Sequence, residues 1–210
     1  MPALKNDQQI NLLQKSGELF KKYGVKTYTM DDVAKELGMS KKTIYQFVEN
    51  KAELVKRTMQ FYLAEEQKQL EEILKTSKNS VDEMIQMVAY FINQVRDFNP
   101  SAFNDLQKYY PETWDIYNEY RFHFMLGLIT KNLETGIQQG LYRDDLDADV
   151  IARVYLGSVE VLINQQLFPG KKYAFVDTYK EYLNYHLRGI VSAKGLKYLE
   201  QHNLFAGQTT

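Results

Sequence analysis

The hydrophobic positions of this chain recur at helical spacing over most of its length. Near the N-terminus, Ile10, Leu13, Gly17 and Phe20 are three or four residues apart and therefore share one helix face. No stretch alternates apolar and polar residues as a half-buried strand would. The pattern predicts an all-α protein with helices over about 4–23, 30–37, 41–48, 51–76, 81–98, 100–109, 112–139, 148–168 and 175–202.

Residues 29–51 hold two short helices, one tight turn and the start of a third helix. Thr29 is placed to cap the first helix, with Asp32 at its third position, where a carboxylate suits the positive end of the helix dipole. Gly38 supplies the left-handed residue that ends this helix, and Ser40 caps the next one only two residues later. Asn50 caps the third. The segment is therefore predicted to form a helix-turn-helix.

The two short helices each have an apolar face and a polar face. Rotation by about 100° per residue places six apolar side chains inside the unit: Met30, Val33, Ala34, Leu37, Ile44 and Val48. On the second helix, Lys42 and Gln46 point outward, flanked by Lys41, Thr43 and Tyr45. Side chains of these kinds bind phosphates and base edges. Two lysines alone would be better explained as an ordinary solvated helix face.

The order of residues along this segment makes the DNA interpretation specific. It resembles the helix-turn-helix of the TetR/AcrR family of bacterial transcriptional regulators through Gly38, Met39, Ser40, Ile44, Tyr45, Asn50 and Lys51. The resemblance implies that these residues bind DNA: Thr29, Ser40, Lys41, Lys42, Thr43, Tyr45, Gln46 and Lys51. Thr29, Tyr45 and Lys51 would hold phosphates, whereas Lys42, Thr43 and Gln46 would reach base edges.

One position departs from the family pattern. The family often has His followed by Phe before the third helix, where this chain has Phe47 and Val48. A phenyl ring cannot bind a phosphate as an imidazole can. Rotation places Phe47 beside the core face, so we predict that it packs in the core.

The resemblance also implies two domains, a DNA-binding domain over 1–50 and a larger helical domain over 51–210. The family's larger domain binds small hydrophobic or amphipathic molecules, and the middle helices of this chain are rich in aromatic residues. The expected effector contacts are Tyr90, Gln94, Phe103, Tyr110, Trp114, Tyr117 and Phe124. Taken singly, each ring is better explained by ordinary core packing, whereas together the rings exceed what an efficient core needs.

Small residues are scattered among tyrosines in the last part of the chain, for example Gly157 and Gly189. Glycine costs about 1 kcal/mol of helix propensity, so close helix packing should offset it. In the family, two helices of each subunit form a four-helix dimer interface, which implies a homodimer here. The expected interface residues are Tyr155, Ser158, Leu162, Tyr182, Tyr185, Gly189 and Ala193. The alternative is close packing within one subunit.

Composition and charge agree with a folded DNA-binding protein. Hydrophobic residues make up 44% of the 210 residues, enough for a packed core. The net charge is −1, but residues 1–57 hold eleven Lys/Arg against seven Asp/Glu, while the remainder hold fifteen against twenty. This asymmetry puts the positive field on the DNA side.

Several classes of site and location are disfavoured. The absence of cysteine excludes disulfides and thiolate metal sites and fits a reducing cytoplasm. No apolar run approaches the roughly 18 residues of a membrane span, and the N-terminus has no signal core. We therefore expect a cytoplasmic protein with no membrane partner.

Residues suited to catalysis are few. His123, His186 and His202 are not paired at helical metal-ligand spacing, and no phosphate-binding loop or nucleophile motif occurs. We expect no enzyme activity, no metal and no cofactor.

The hypothesis is a homodimeric repressor that binds double-stranded DNA at a palindromic operator and is released by an unknown small-molecule effector. Two alternatives stay open. The C-terminal half could be a protein-interaction surface without a pocket, or the chain could be an all-α enzyme. The sequence does not distinguish repression from activation.

Overall fold

The computed structural model describes residues 2–96, 98–164 and 166–202, with side chains from residue 7 onward. Within these residues the all-α prediction is confirmed, and the one other pairing is an isolated antiparallel bridge between Tyr142 and Val191. The helices are α1 (Pro2–Tyr23), α2 (Met30–Leu37), α3 (Lys41–Ile44), α4 (Lys51–Thr76), α5 (Ser80–Gln94), α6 (Ser101–Tyr109), α7 (Pro111–Glu119), a π-helical segment (Tyr120–Met125), α8 (Leu126–Gln138), α9 (Ala148–Leu162), α10 (Phe175–Ile190) and α11 (Ala193–Gln201).

The predicted caps of the short N-terminal helices are confirmed. The Thr29 hydroxyl accepts from the Asp32 backbone N–H at 3.2 Å, and the Thr29 N–H donates to the Asp32 carboxylate at 2.9 Å. Gly38 ends α2 with φ 62°. The Ser40 hydroxyl accepts from the Thr43 N–H at 3.1 Å and begins α3. These contacts satisfy backbone groups that the helix ends leave unpaired.

Three predicted helices end earlier than their patterns indicated. The α-helical part of α3 ends at Ile44 rather than near Val48, because the Phe47 N–H bonds to the Ile44 carbonyl at 2.9 Å in a tighter turn. Helix α5 ends at Gln94. Beyond this end, the Asn99 N–H donates to the Lys21 carbonyl at 2.8 Å, a bond that a continuing helix would not make. Helix α9 ends at Leu162, where the Asn164 side chain caps the following turn.

Two further long helices predicted from periodicity are interrupted. The stretch predicted as 112–139 stays helical but contains the π-helical segment Tyr120–Met125. The helix predicted over 175–202 is divided between Ile190 and Ala193. Ser192 donates its N–H to the Leu141 carbonyl at 2.9 Å and accepts from the Gly195 N–H at 3.1 Å. Ser192 is therefore an N-cap and not a small residue within one helix.

The described chain contains two compact units, Met1–Lys68 with Asp97–Tyr120, and Gln69–Arg96 with Arg121–Thr210. In the first unit, α1, α2, α3 and α6 enclose a core that includes Leu12, Val33 and Ile44, all fully buried. Gly17 of α1 faces the Tyr62 ring of α4 so closely that a Cβ would lie 2.0 Å from it. A glycine is therefore required where these helices meet.

In the second unit, α5 packs against α8, α10 and α11, and α8 packs against α9. A buried polar network stabilises this arrangement. The Asn132 amide donates to the Ser80 carbonyl at 2.9 Å, and the Tyr142 hydroxyl donates to the same carbonyl at 2.9 Å. Since all three groups are buried, each bond removes a desolvation cost that an unpaired group would carry.

The compact units do not follow the predicted domain ranges 1–50 and 51–210. The first two-thirds of α4 and all of α6 and α7 belong with the N-terminal helices. Helix α4 is continuous over residues 51–76, as predicted, and has residues in both units. The ranges 1–50 and 51–210 remain a prediction about which residues bind DNA and which bind an effector.

Candidate nucleic-acid interface

Helix α3 presents the polar face that its sequence predicted. Ile44 is fully buried and Phe47 is 6% exposed, so the packing role predicted for Phe47 is confirmed. Lys42, Tyr45 and Gln46 are exposed. The side chains of Lys42 and Gln46 make no hydrogen bond or ion pair with another described residue. They are therefore available to an external ligand.

The two hydroxyl residues of α3 are bonded to each other. The Ser40 and Thr43 hydroxyl oxygens are 2.8 Å apart, and Ser40 also caps the helix through the Thr43 N–H. Ser40 is exposed, while Thr43 is half-buried. This pair fixes the first turn of α3, and a base or phosphate would compete for or share its hydroxyl groups.

Lys41 differs from Lys42 because it has an acidic partner. Its ammonium group lies 2.6 Å from the carboxylate of Asp31, in the first turn of α2. The hydrogen bond to Asp31 raises the pKa of Lys41 above its ordinary value. The ion pair links the two helices and neutralises one of the two cations at the start of α3.

The two predicted phosphate contacts at helix starts already have partners inside the first unit. The Thr29 hydroxyl donates to the Asp32 carboxylate at 2.7 Å. The Lys51 ammonium donates to the Lys26 carbonyl at 3.3 Å and lies 6.0 Å from the centre of the Tyr110 ring. Partial burial lowers the pKa of Lys51 from its ordinary value. The ammonium is thus held beside the loop that follows α1.

Comparison with known proteins identifies this arrangement. Residues 12–58, which span about half of α1 and the whole helix-turn-helix, match the family model described as bacterial regulatory proteins, tetR family. This segment therefore matches the helix-turn-helix of the TetR family. The proteins of this family are DNA-binding transcriptional regulators and not enzymes, and ligand binding is typical of them.

Individual relatives agree with this match. The uncharacterised HTH-type transcriptional regulator YvaF of Bacillus subtilis (strain 168) is 28% identical over 153 residues, which cover 70% of this chain and 77% of YvaF. A TetR-family regulator from Agrobacterium tumefaciens has a TM-score of 0.75 at 17% identity, covering 90% of this chain and 100% of its own. A candidate regulator from Saccharomonospora viridis, solved with choline, has a TM-score of 0.71 at 22% identity, covering 89% and 99%. The two structures share the fold.

The residues predicted to contact an effector do not form one group in a single unit. Phe103, Tyr110, Trp114 and Tyr117 belong to the first unit, whereas Tyr90, Gln94 and Phe124 belong to the second. In the first unit, the Phe103 ring centre lies 6.2 Å from that of Trp114 and 5.2 Å from that of Tyr117. These three rings pack on one another between α6 and α7, and their role in effector binding stays a prediction.

The residues predicted to form the dimer interface differ in exposure. Tyr155 and Leu162 are buried within the second unit, where the Tyr155 ring lies 5.1 Å from His186, and this leaves them little surface for a partner. Ser158 and Tyr182 are half-buried. Tyr185, Gly189 and Ala193 are exposed.

An exposed apolar row on α9 was missed by the sequence analysis. Val150, Val154, Gly157 and Val161 follow one another at intervals of three or four residues, and the three valines are 50–57% exposed. A Cβ at Gly157 would meet no atom within 4 Å. The spacing of these residues is visible in the sequence. It was missed because α9 has an inner apolar face as well.

Two kinds of feature are absent from the described residues. No group of three or more His, Asp or Glu side chains there is arranged to hold a metal ion. None of the described helices combines the length and the apolar character needed to span a membrane.

Proposed function

We propose that this TetR-family protein is a cytoplasmic homodimer that represses transcription from a two-fold symmetric operator and is released by a small hydrophobic or amphipathic effector. The observation that carries the proposal is the exposed outer face of α3. Lys42 and Gln46 offer one cation and one amide with no competing partner among the described residues. Such groups bind guanine and adenine edges in the major groove.

The row of exposed valines on α9 supports the homodimer. Isolated apolar residues are common on protein surfaces, but a continuous row on one helix face usually marks an interface. Tyr185 of α10 is 76% exposed, and a Cβ at Gly189 would meet no atom within 4 Å. Glycines in open positions allow the helix of a second copy to approach closely. Two copies would place their α3 helices on successive half-sites, about 34–36 Å apart.

The ligand-responsive part of the proposal rests on α4 and on the neighbour solved with choline. Helix α4 carries Lys51 at its start and has residues in both compact units, so a shift of this continuous helix would reach the DNA-binding unit. An effector can act in this way only if it binds the released state more tightly than the DNA-bound state. Operator affinity should therefore fall as effector is added, and unchanged affinity at saturating ligand would contradict this part.

The experiment that tests the function is selection of bound sequences from random duplex DNA, combined with the mass of the protein in solution. We expect an enriched palindrome and a dimeric mass. Val154→Glu should yield a monomer and reduce operator binding, because it buries a charge in the interface. Leu167→Glu changes an equally exposed apolar residue away from the row and serves as the control. A palindrome bound by a monomer would reject the homodimer.

The roles of individual side chains are tested on the selected operator. Lys42→Ala and Gln46→Ala should relax sequence preference, whereas Lys51→Ala should weaken binding to all duplexes and lower the salt slope by about 1. Equal losses on operator and random DNA for all three variants would reject this division. A reporter gene behind the operator should be silent with the protein present, and higher expression would indicate activation.

A further inference from the structure

Two lysines from distant parts of the chain meet at one exposed tyrosine in the first unit. Lys26 lies in the loop between α1 and α2, and Lys108 and Tyr109 end α6. The Lys26 and Lys108 ammonium groups lie 5.0 and 5.4 Å from the centre of the Tyr109 ring. Hydrogen bonding by Lys26, assisted by the charge of Lys108, lowers the pKa of Tyr109. We name Lys26, Lys108 and Tyr109 the lysine–tyrosine cluster.

The charges in this cluster are not neutralised by an ion pair. Neither lysine forms a salt bridge with a carboxylate among the described residues. The neighbouring Asp105 carboxylate accepts instead from the Lys26 backbone N–H at 2.8 Å, which holds the loop in place. Two cations held around one ring repel each other, and an anion that binds both relieves that repulsion. The Tyr109 hydroxyl can also bind to such an anion.

The cluster adjoins the helix-turn-helix through one contact and through the chain itself. The carbonyl of Lys26 accepts from the ammonium of Lys51, the first residue of α4 and a predicted phosphate contact. Tyr28, two residues after Lys26, immediately precedes Thr29, the cap of α2 and another predicted phosphate contact. The rings of Tyr23 and Tyr28 stack with their centres 5.2 Å apart, and the Lys22 ammonium lies over Tyr23 at 5.2 Å. The cluster therefore lies next to two residues of the predicted interface, Lys51 in space and Thr29 along the chain.

We propose that the lysine–tyrosine cluster binds backbone phosphates of the operator that flank the half-site contacted by α3. The proposal rests on DNA binding by the helix-turn-helix and extends that interface to α6, outside the residues that match the family model. Lysine and tyrosine side chains are common phosphate ligands. The cluster adds affinity without sequence preference, because phosphates are alike at every base pair.

The test compares the salt dependence of binding for variants on two duplexes. One duplex carries the selected palindrome alone, and the other extends it by about five base pairs, half a helical turn, at each end. On the extended duplex, Lys26→Ala and Lys108→Ala should each lower the salt slope by about 0.9 per protomer. At 0.1 M salt, each lost contact should weaken binding by about eightfold. Tyr109→Phe should weaken binding while leaving the slope unchanged.

The controls separate this proposal from the function on which it rests. Lys131→Ala removes an exposed lysine of α8 and should leave both duplexes unaffected. Lys42→Ala should change sequence preference on both duplexes. If the wild-type protein selects no palindrome, the proposed function fails. If it binds its palindrome but the two cluster variants keep the wild-type slope, or lose slope equally on the short duplex, the cluster does not bind flanking phosphates.

Discussion

The ion pair between Asp31 and Lys41 leads to a quantitative prediction about DNA binding. Its ammonium and carboxylate are 2.6 Å apart, with the side chains 48% and 71% exposed. Together they carry no net charge, so Lys41 should release few counterions when DNA binds. Asp31→Asn removes the carboxylate while keeping the side chain's shape. It should therefore raise affinity for random duplex DNA and steepen the salt slope by about 0.9 per protomer.

The magnitude is accessible to a fluorescence anisotropy titration. Over a fourfold range of salt, a slope difference of 0.9 corresponds to about a 3.5-fold difference in Kd. Lys41→Ala should leave the slope of the wild-type protein nearly unchanged, but should lower the slope of Asp31→Asn by about 0.9. This non-additivity measures the coupling between the two residues.

A matched control distinguishes the pair from a general change in charge. Glu36→Gln removes an exposed carboxylate from the same helix, α2, and changes the net charge by the same amount. It should steepen the slope less than Asp31→Asn does. The reasoning would be refuted if Lys41→Ala lowered the salt slope of the wild-type protein by the full value of about 0.9, because Lys41 would then leave Asp31 and bind a phosphate.

Two predictions concern stability. Gly195→Ala places a Cβ 2.0 Å from the Leu141 carbonyl oxygen and should lower the free energy of unfolding by about 1–3 kcal/mol, whereas Gly127→Ala on the exposed side of α8 should raise it by up to about 1 kcal/mol. Denaturant unfolding at fixed protein concentration checks both, and a Gly195→Ala protein of wild-type stability would contradict the packing of α11. Burial raises the pKa of Glu66 to about 7, opposed by its hydrogen bond to Tyr120 and by the charge of Lys21. The folded protein thus holds this proton more tightly than the unfolded chain, and stability should fall as pH rises from about 4.3 to 7. Above that range Glu66→Gln should be more stable than wild type by up to roughly 3 kcal/mol, with the difference vanishing near pH 4, and Glu119→Gln on α7 is the control. A pH-independent difference would exclude titration of Glu66 as the cause.

Local contacts explain why the helix-turn-helix could be predicted from the sequence. The bonds that begin α2 and α3, Thr29 with Asp32 and Ser40 with Thr43, join residues three apart. Gly38 adopts the left-handed conformation that glycine favours at a helix end. Since these preferences depend on neighbours in the chain, they can be seen without tertiary structure. The buried positions Val33, Ile44 and Phe47 followed from the same periodicity.

Contacts between distant residues account for what the sequence did not reveal. The break before α11 depends on Ser192 bonding to Leu141, and periodicity alone favoured an uninterrupted helix. The pairing of Lys41 with Asp31 depends on the angle between two helices, which no spacing rule specifies.

The sequence by itself determined the helices, their caps, the polar face of α3 and the family that the helix-turn-helix matches, because each depends on a few neighbouring residues. Tertiary structure alone decided which polar groups on that surface are already paired. It also brought Lys26 and Lys108 to one tyrosine, although 81 residues lie between them in the chain. The electrostatic interaction of the two lysines depends on their distance in space, and the packing of α1 against α6 sets that distance.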